Sequence, residues 1–167
     1  IGSSLVGSEM CIRDRLGMAQ GVRVIFDFAH HPTAAALTTA AVRRRYSEQS
    51  LHVCFEPRSS SSHRREFGEG FAASFDAATH VAVAPLYRPE KLPPEERLDT
   101  AALAEAIRGR GVDARAYKTI EALAEAVSER AVPGDTVLLL SSGDFGGLGP
   151  DLLRRLGDPV CFGGRDD

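Results

Sequence analysis

The chain has 167 residues, 43% hydrophobic and 26% charged, with a formal net charge of −3. That size suits one soluble domain with a core large enough to stand without disulfides or structural metal. A weakly acidic chain with a pI near 6.0 argues against a nucleic-acid binder, which carries a basic face; no apolar run approaches the ~20 residues that cross a bilayer.

Residues 1–15 (IGSSLVGSEMCIRDR) have neither a helical nor a strand period and no signal-peptide cleavage pattern. They resemble a translated sequencing-adapter read, are expected to lie outside the fold, and leave 16–167 as the domain. Within them Gly2–Ser8 imitates part of a phosphate loop but lacks the essential Lys. Setting them aside removes Cys11 and leaves Cys54 and Cys161, too few for a disulfide framework or a zinc cluster. A reducing cytoplasm is the compartment this suits.

From Gly21 the chain alternates. Gly21–Asp27 (GVRVIFD) reads as a strand, and Thr33–Tyr46, opened by Pro32, as a helix. Leu51–Glu56 is a second strand. Arg64–Phe75 places Phe67, Phe71 and Phe75 on one helical face. His80–Pro85 is a third strand, and the proline-rich Leu86–Leu98 a loop. Asp99–Arg110 is a helix, with Asp99 or Thr100 as its cap and Gly111 as its stop. Val112–Tyr117 is a strand and Ile120–Ala131 a helix capped by Thr119. The turn Pro133-Gly134-Asp135 leads into the strand Thr136–Ser141, and Asp151–Leu156 is a short last helix.

Strand and helix therefore repeat about five times. Short apolar runs without alternation are what strands covered on both faces look like, so the fold predicted is a Rossmann-like, doubly wound α/β sheet, mainly parallel, with helices on both faces. In such sheets ligands bind beyond the carboxyl ends of the strands. That rule selects the loops at Asp27–Thr33, Glu56–Arg65, Pro85–Pro89 and Ser141–Gly149. Asp27 can accept two hydrogen bonds from a ribose diol or can simply cap a turn; His30 and His31 offer donors and stacking surface or are ordinary loop residues. Metal is disfavoured, because adjacent histidines rarely ligate one ion and no carboxylate cluster accompanies them. Arg58 suits carboxylate or phosphate, and a helix N-terminus near Ser62 would add its positive end. The glycines from Gly143 to Gly149 allow close backbone approach, although a plain turn explains them equally.

These loops carry a resemblance. Phe26-Asp27-Phe28-Ala29-His30-His31-Pro32-Thr33 resembles the motif that opens the carboxyl-terminal domain of Mur ligases. Phe55-Glu56-Pro57-Arg58-Ser59, Tyr87-Arg88-Pro89-Glu90-Lys91-Leu92 and Ser141-Ser142-Gly143-Asp144-Phe145-Gly146-Gly147 are similar to the branch that joins the tripeptide L-alanyl-γ-D-glutamyl-meso-diaminopimelate to UDP-N-acetylmuramate. The resemblance implies an ATP-dependent amide-forming ligase of three domains, of which this would be the last. The substrate's lactyl carboxylate would be activated as an acyl phosphate, and the incoming amine would attack it.

By motif match, Asp27 would bind the ATP ribose, with His30 and His31 beside the nucleotide and the reacting carboxylate. Arg58 would recognise a carboxylate of the incoming peptide or a phosphate oxygen. Ser59, Arg64 and Arg65 would line the peptide side, and Ser142, Gly143 and Phe145 the opposite wall. The phosphate loop and the Mg2+ ligands would belong to a central domain, so this piece alone is expected to be inactive. The partners implied are UDP-N-acetylmuramate, the peptide and the other two domains, not nucleic acid or membrane. Phe26, Ser60, Ser61, Ser142 and Asp144 depart from the motif; Asp144 stands where glycine is usual. The alternatives are the alanine-adding ligase of the same family and a free-standing nucleotide- or peptide-binding module.

Overall fold

The computed structural model describes residues 15–59, 62–157 and 159–161. Seven strands form one sheet: β1 (Arg15–Ala19), β2 (Val22–Asp27), β3 (Leu51–Phe55), β4 (His80–Val83), β5 (Asp113–Ala116), β6 (Thr136–Leu140) and β7 (Pro159–Cys161), in the order β5-β4-β3-β6-β2-β1-β7. The five strands from β5 to β2 are parallel, and β1 runs antiparallel to both β2 and β7. The helices are α1 (Pro32–Arg45), α2 (Gly68–Ser74), α3 (Thr100–Gly109), α4 (Ile120–Arg130) and α5 (Leu148–Leu156). Among the described residues no helix is long and apolar enough to cross a membrane.

Two cores cover the two faces. On the first, Ala35 and Val42 of α1, Phe71 of α2 and Leu103 and Ile107 of α3 pack on Val53, Phe55, Leu138 and Leu140. Phe55 meets Phe71 at 4.6 Å and Phe75 at 5.5 Å between ring centroids, as the i, i+4, i+8 spacing predicts. On the second, Leu123 and Val127 of α4 and Leu148 and Leu152 of α5 pack on Val24, Cys54, Val137 and Leu139. β3 and β6 are buried along their whole length, which is why neither shows alternation.

The structure departs from the sequence reading in four places. The pair β1 and β7 was not expected. β1 turns into β2 through Gln20 and Gly21, both with positive φ, the requirement of a two-residue hairpin whose twist matches its strands. The helix expected over Arg64–Phe75 is a 3₁₀ turn at Arg65–Phe67 followed by α2 from Gly68; among the described residues no helix N-terminus opens near Ser62. The prolines of the 86–98 segment organise two further 3₁₀ turns, Pro89–Lys91 and Pro94–Glu96. The last helix begins at Leu148 rather than Asp151, because Pro150 falls in the first turn, where its missing N–H has no intrahelical partner to lose. The adapter-like reading concerns residues that, up to Asp14, lie outside the described ones; Arg15 pairs with Ile25 in the sheet.

Candidate functional site

The strand order decides where the site lies. The chain leaves β2 and β3 toward the first face and leaves β6, which lies between them, toward the second. The topological switch point therefore falls at the carboxyl ends of these three strands, the place where ligands bind in open α/β sheets. Backbone hydrogen bonds extend past the strand ends and fix the three loops to one another: Ser141 N–H donates to the Asp27 carbonyl at 3.2 Å, and Glu56 N–H donates to the Leu140 carbonyl at 2.9 Å.

On the β2 side, Asp27 Oδ1 accepts from the Ala29 N–H at 2.8 Å, which closes a tight turn and lifts Phe28 outward, 61% exposed. His30 Nδ1 lies 2.8 Å from the Phe28 carbonyl. A carbonyl only accepts, so Nδ1 carries a hydrogen, which in the neutral imidazole leaves Nε2 as the acceptor. His31 caps α1, its Nδ1 taking the Thr33 N–H at 3.4 Å; its Nε2 therefore carries the hydrogen and donates. The two exposed histidines thus offer opposite functions, one acceptor and one donor, at the positive end of a 14-residue helix. That end is held by α2: Ser74 Oγ donates to the Pro32 carbonyl at 2.7 Å, and a Cβ on Gly70 would stand 3.1 Å from the Pro32 ring.

On the β3 and β6 side, Arg58 is clamped. Its guanidinium stacks 3.8 Å from the Tyr87 ring centroid, a favourable cation–π position. Behind it lies Gly143, where a Cβ would come within 2.3 Å of Arg58 Cζ. Arg58 Nη1 reaches Asp144 Oδ1 at 3.1 Å and Glu56 Oε1 at 3.8 Å. Glu56 is 4% exposed, and Ser141 Oγ, which takes the Gly143 N–H at 3.0 Å, donates to it at 2.6 Å. Burial pushes the Glu56 carboxyl up, opposed by the Ser141 hydrogen bond and the Arg58 charge.

Ser59 faces both sides: its Oγ donates to the His30 carbonyl at 3.5 Å and bonds Ser62 Oγ at 2.9 Å. Arg58, Ser59, Gly143, the His30 backbone and Asp27 therefore come together at one edge, with Ser142 partly exposed between Ser141 and Gly143. Arg64 and Arg65 do not join the Arg58 clamp. Arg64 pairs with Glu96 at 3.6 Å, and Arg65 borders a shallow depression with Glu69, Leu98 and Asp99. Phe145, expected on the opposite wall, is fully buried in the second core. Phe145, Gly146 and Gly147 all have positive φ, and this left-handed turn drives the ring inward.

Sequence reasoning did not give roles to Glu56, Ser141, Asp144 or Tyr87. The available signal was the pair of polar residues, Glu56 and Ser141, that end two otherwise apolar runs. No group of three His, Cys, Asp or Glu side chains among the described residues is arranged to hold a metal ion. Cys54 is buried, and that burial pushes its thiol up to about 12.

The model for the Mur ligase glutamate ligase domain matches residues 14–143. A UDP-N-acetylmuramate–L-alanine ligase of Paenarthrobacter aurescens is 34% identical over 141 residues, 84% of this chain and 29% of that protein. A crystallised domain of a UDP-N-acetylmuramate:L-alanyl-γ-D-glutamyl-meso-diaminopimelate ligase from Haemophilus ducreyi is 26% identical, with a TM-score of 0.65 over 84% of this chain and 96% of that one. A murein peptide ligase from Psychrobacter arcticus shares the fold at a TM-score of 0.70 and 24% identity, covering 89% of this chain and 30% of that one. The chain thus spans 29% of the length of the curated relative it matches.

Proposed function

The chain belongs to the Mur ligase family, and from that premise we propose that it is the carboxyl-terminal domain of an ATP-dependent ligase that joins L-alanyl-γ-D-glutamyl-meso-diaminopimelate to UDP-N-acetylmuramate in cytoplasmic peptidoglycan recycling. The observation that carries this reading is Arg58: a guanidinium fixed by Tyr87 and Gly143 at the strand ends, shaped for a carboxylate. The tripeptide presents several.

ATP supplies the phosphoryl group that turns the sugar's lactyl carboxylate into an acyl phosphate. The residues here fit a nucleotide at this edge: a carboxylate at the end of β2 for a ribose diol, an exposed aromatic ring at Phe28, and His31 donating from Nε2 beside a helix N-terminus suited to phosphate oxygens. His30, with its Nε2 lone pair, can accept a proton from the attacking amine. Ser59 and Ser142 border the path the amine takes. Magnesium and the phosphate loop belong to a central domain. By this reading the domain contributes the binding surface for the incoming peptide, and phosphoryl transfer needs the phosphate cradle and the metal together.

A second reading, the alanine-adding ligase, is favoured by the name of the Paenarthrobacter aurescens relative. Steady-state kinetics of the ligase carrying this domain separate the two. Arg58→Ala is expected to raise the tripeptide KM at least ~10-fold, the worth of a charge-assisted hydrogen bond, and to leave the ATP KM unchanged. A change confined to the ATP KM contradicts the peptide role, and turnover of L-alanine but not of the tripeptide supports the second reading.

A further inference from the structure

Arg58 stands between two carboxylates of different character. Glu56 is buried and held by Ser141 Oγ at 2.6 Å. Asp144 has a side chain 77% exposed and makes the shorter contact, 3.1 Å against 3.8 Å. The same Asp144 Oδ1 also takes the Gly146 N–H at 3.2 Å, so one oxygen is shared and the contact to Arg58 is single. The guanidinium packs against both the Tyr87 ring, 3.8 Å from its centroid, and the Gly143 backbone.

We propose that Asp144 is a specificity-determining residue: a resident carboxylate that occupies the Arg58 anion site and that an incoming carboxylate must displace. The proposal rests on the reading of Arg58 as the carboxylate receptor. Glu56 is the buried counter-group, 3.8 Å from the guanidinium, and Asp144 is the exposed, exchangeable one, 3.1 Å from it. A ligand carboxylate that engages two N–H groups in parallel makes the stronger, bidentate arrangement and replaces the single contact. Ligands that offer one weak acceptor do not. The resident carboxylate thereby holds Arg58 neutralised in the absence of ligand and sets a threshold that discriminates by acceptor geometry.

Asp144→Asn is a clean probe, since an amide oxygen still takes the Gly146 N–H while the charge is gone. The probe ligand is L-alanyl-γ-D-glutamyl-meso-diaminopimelate, titrated into the full chain while the arginine side-chain resonances are followed by NMR. Three forms are compared: the unaltered chain, Asp144→Asn and Arg58→Gln. The expected result is binding about two- to fivefold tighter for Asp144→Asn at low salt, the modest size of an exposed ion pair, a gain that disappears in high salt, and loss of binding for Arg58→Gln. Unchanged or weaker binding by Asp144→Asn, with Arg58→Gln still impaired, overturns the proposal and leaves the Arg58 reading standing; weaker binding makes Asp144 a ligand contact. Unimpaired binding by Arg58→Gln, or no saturable binding by any form, overturns both.

Discussion

A buried polar residue lies at each end of β3, His52 near its start and Glu56 just past its last residue, and the two are used in opposite ways. At the amino end His52 Nε2 meets Asp135 Oδ2 at 2.9 Å, and that carboxylate oxygen also takes the Val132 N–H at 3.1 Å. Both side chains are almost wholly covered, and the imidazole also packs on the His80 ring, 4.8 Å between centroids. The pair pins the turn before β6 to the start of β3. At the carboxyl end Glu56 is as deeply buried, but its charge passes to Arg58, whose side chain is 23% exposed. The first arrangement satisfies groups that burial would otherwise leave unpaired; the second uses burial to orient a charge toward solvent. A buried polar residue is thus structural or functional according to whether its network ends inside the protein or at the ligand edge.

Breaking each end should therefore give different phenotypes. The largest effect on stability is expected at the amino end. Asp135→Ala leaves the His52 imidazole and the Val132 N–H without their partner and should cost about 3 kcal/mol in urea unfolding, with tripeptide binding by the folded fraction unchanged. At the carboxyl end, Gly143→Ala places a methyl where the guanidinium lies. Because the Arg58 side chain can yield at its tip, the fold should survive with little loss, while tripeptide affinity falls about tenfold or more as the charged hydrogen bonds are lost; thermal unfolding reads the first effect and titration calorimetry the second.

A smaller effect concerns pH. The folded Glu56 carboxyl holds its proton more tightly than the unfolded one, whose value is near 4.5. The folded state then binds more protons in that window, so stability falls as pH rises from about the unfolded value through the raised folded one, and is flat above it. Glu56→Gln should flatten that fall in urea midpoints measured from acid to neutral pH; an unchanged slope would show that Glu56 titrates normally. The smallest effect is the two- to fivefold gain in tripeptide affinity for Asp144→Asn.

Much of this was legible in the sequence, for identifiable reasons. β3, β4 and β6 are short, mainly apolar runs, and the caps at Asp99 and Thr119 both act as such, accepting from Ala102 and Ala122. The strand-end rule alone led to Asp27, Arg58 and the glycine loop. β1 was not legible because its pairing is set by the left-handed Gln20–Gly21 turn, not by any pattern within Arg15–Ala19. The start of α5 was hidden by Gly147-Leu148-Gly149-Pro150, which reads as breakers although Gly149 is buried against the core and Pro150 sits in the first turn. Glu56 and Ser141 gave no sign of their mutual contact, since 85 residues separate them and only the parallel pairing of β3 with β6 brings them side by side. Phe145 was misplaced because a loop phenylalanine beside glycines looks exposed until the backbone turn is known.

The central claim is that Arg58 receives a carboxylate of an incoming peptide. Its most direct test is amide formation by the ligase carrying this domain, with UDP-N-acetylmuramate, ATP and either the tripeptide or L-alanine. The account predicts product with the tripeptide and a tripeptide KM raised at least ~10-fold by Arg58→Ala at unchanged ATP KM. Turnover of L-alanine alone, with every KM indifferent to Arg58→Ala, would contradict it.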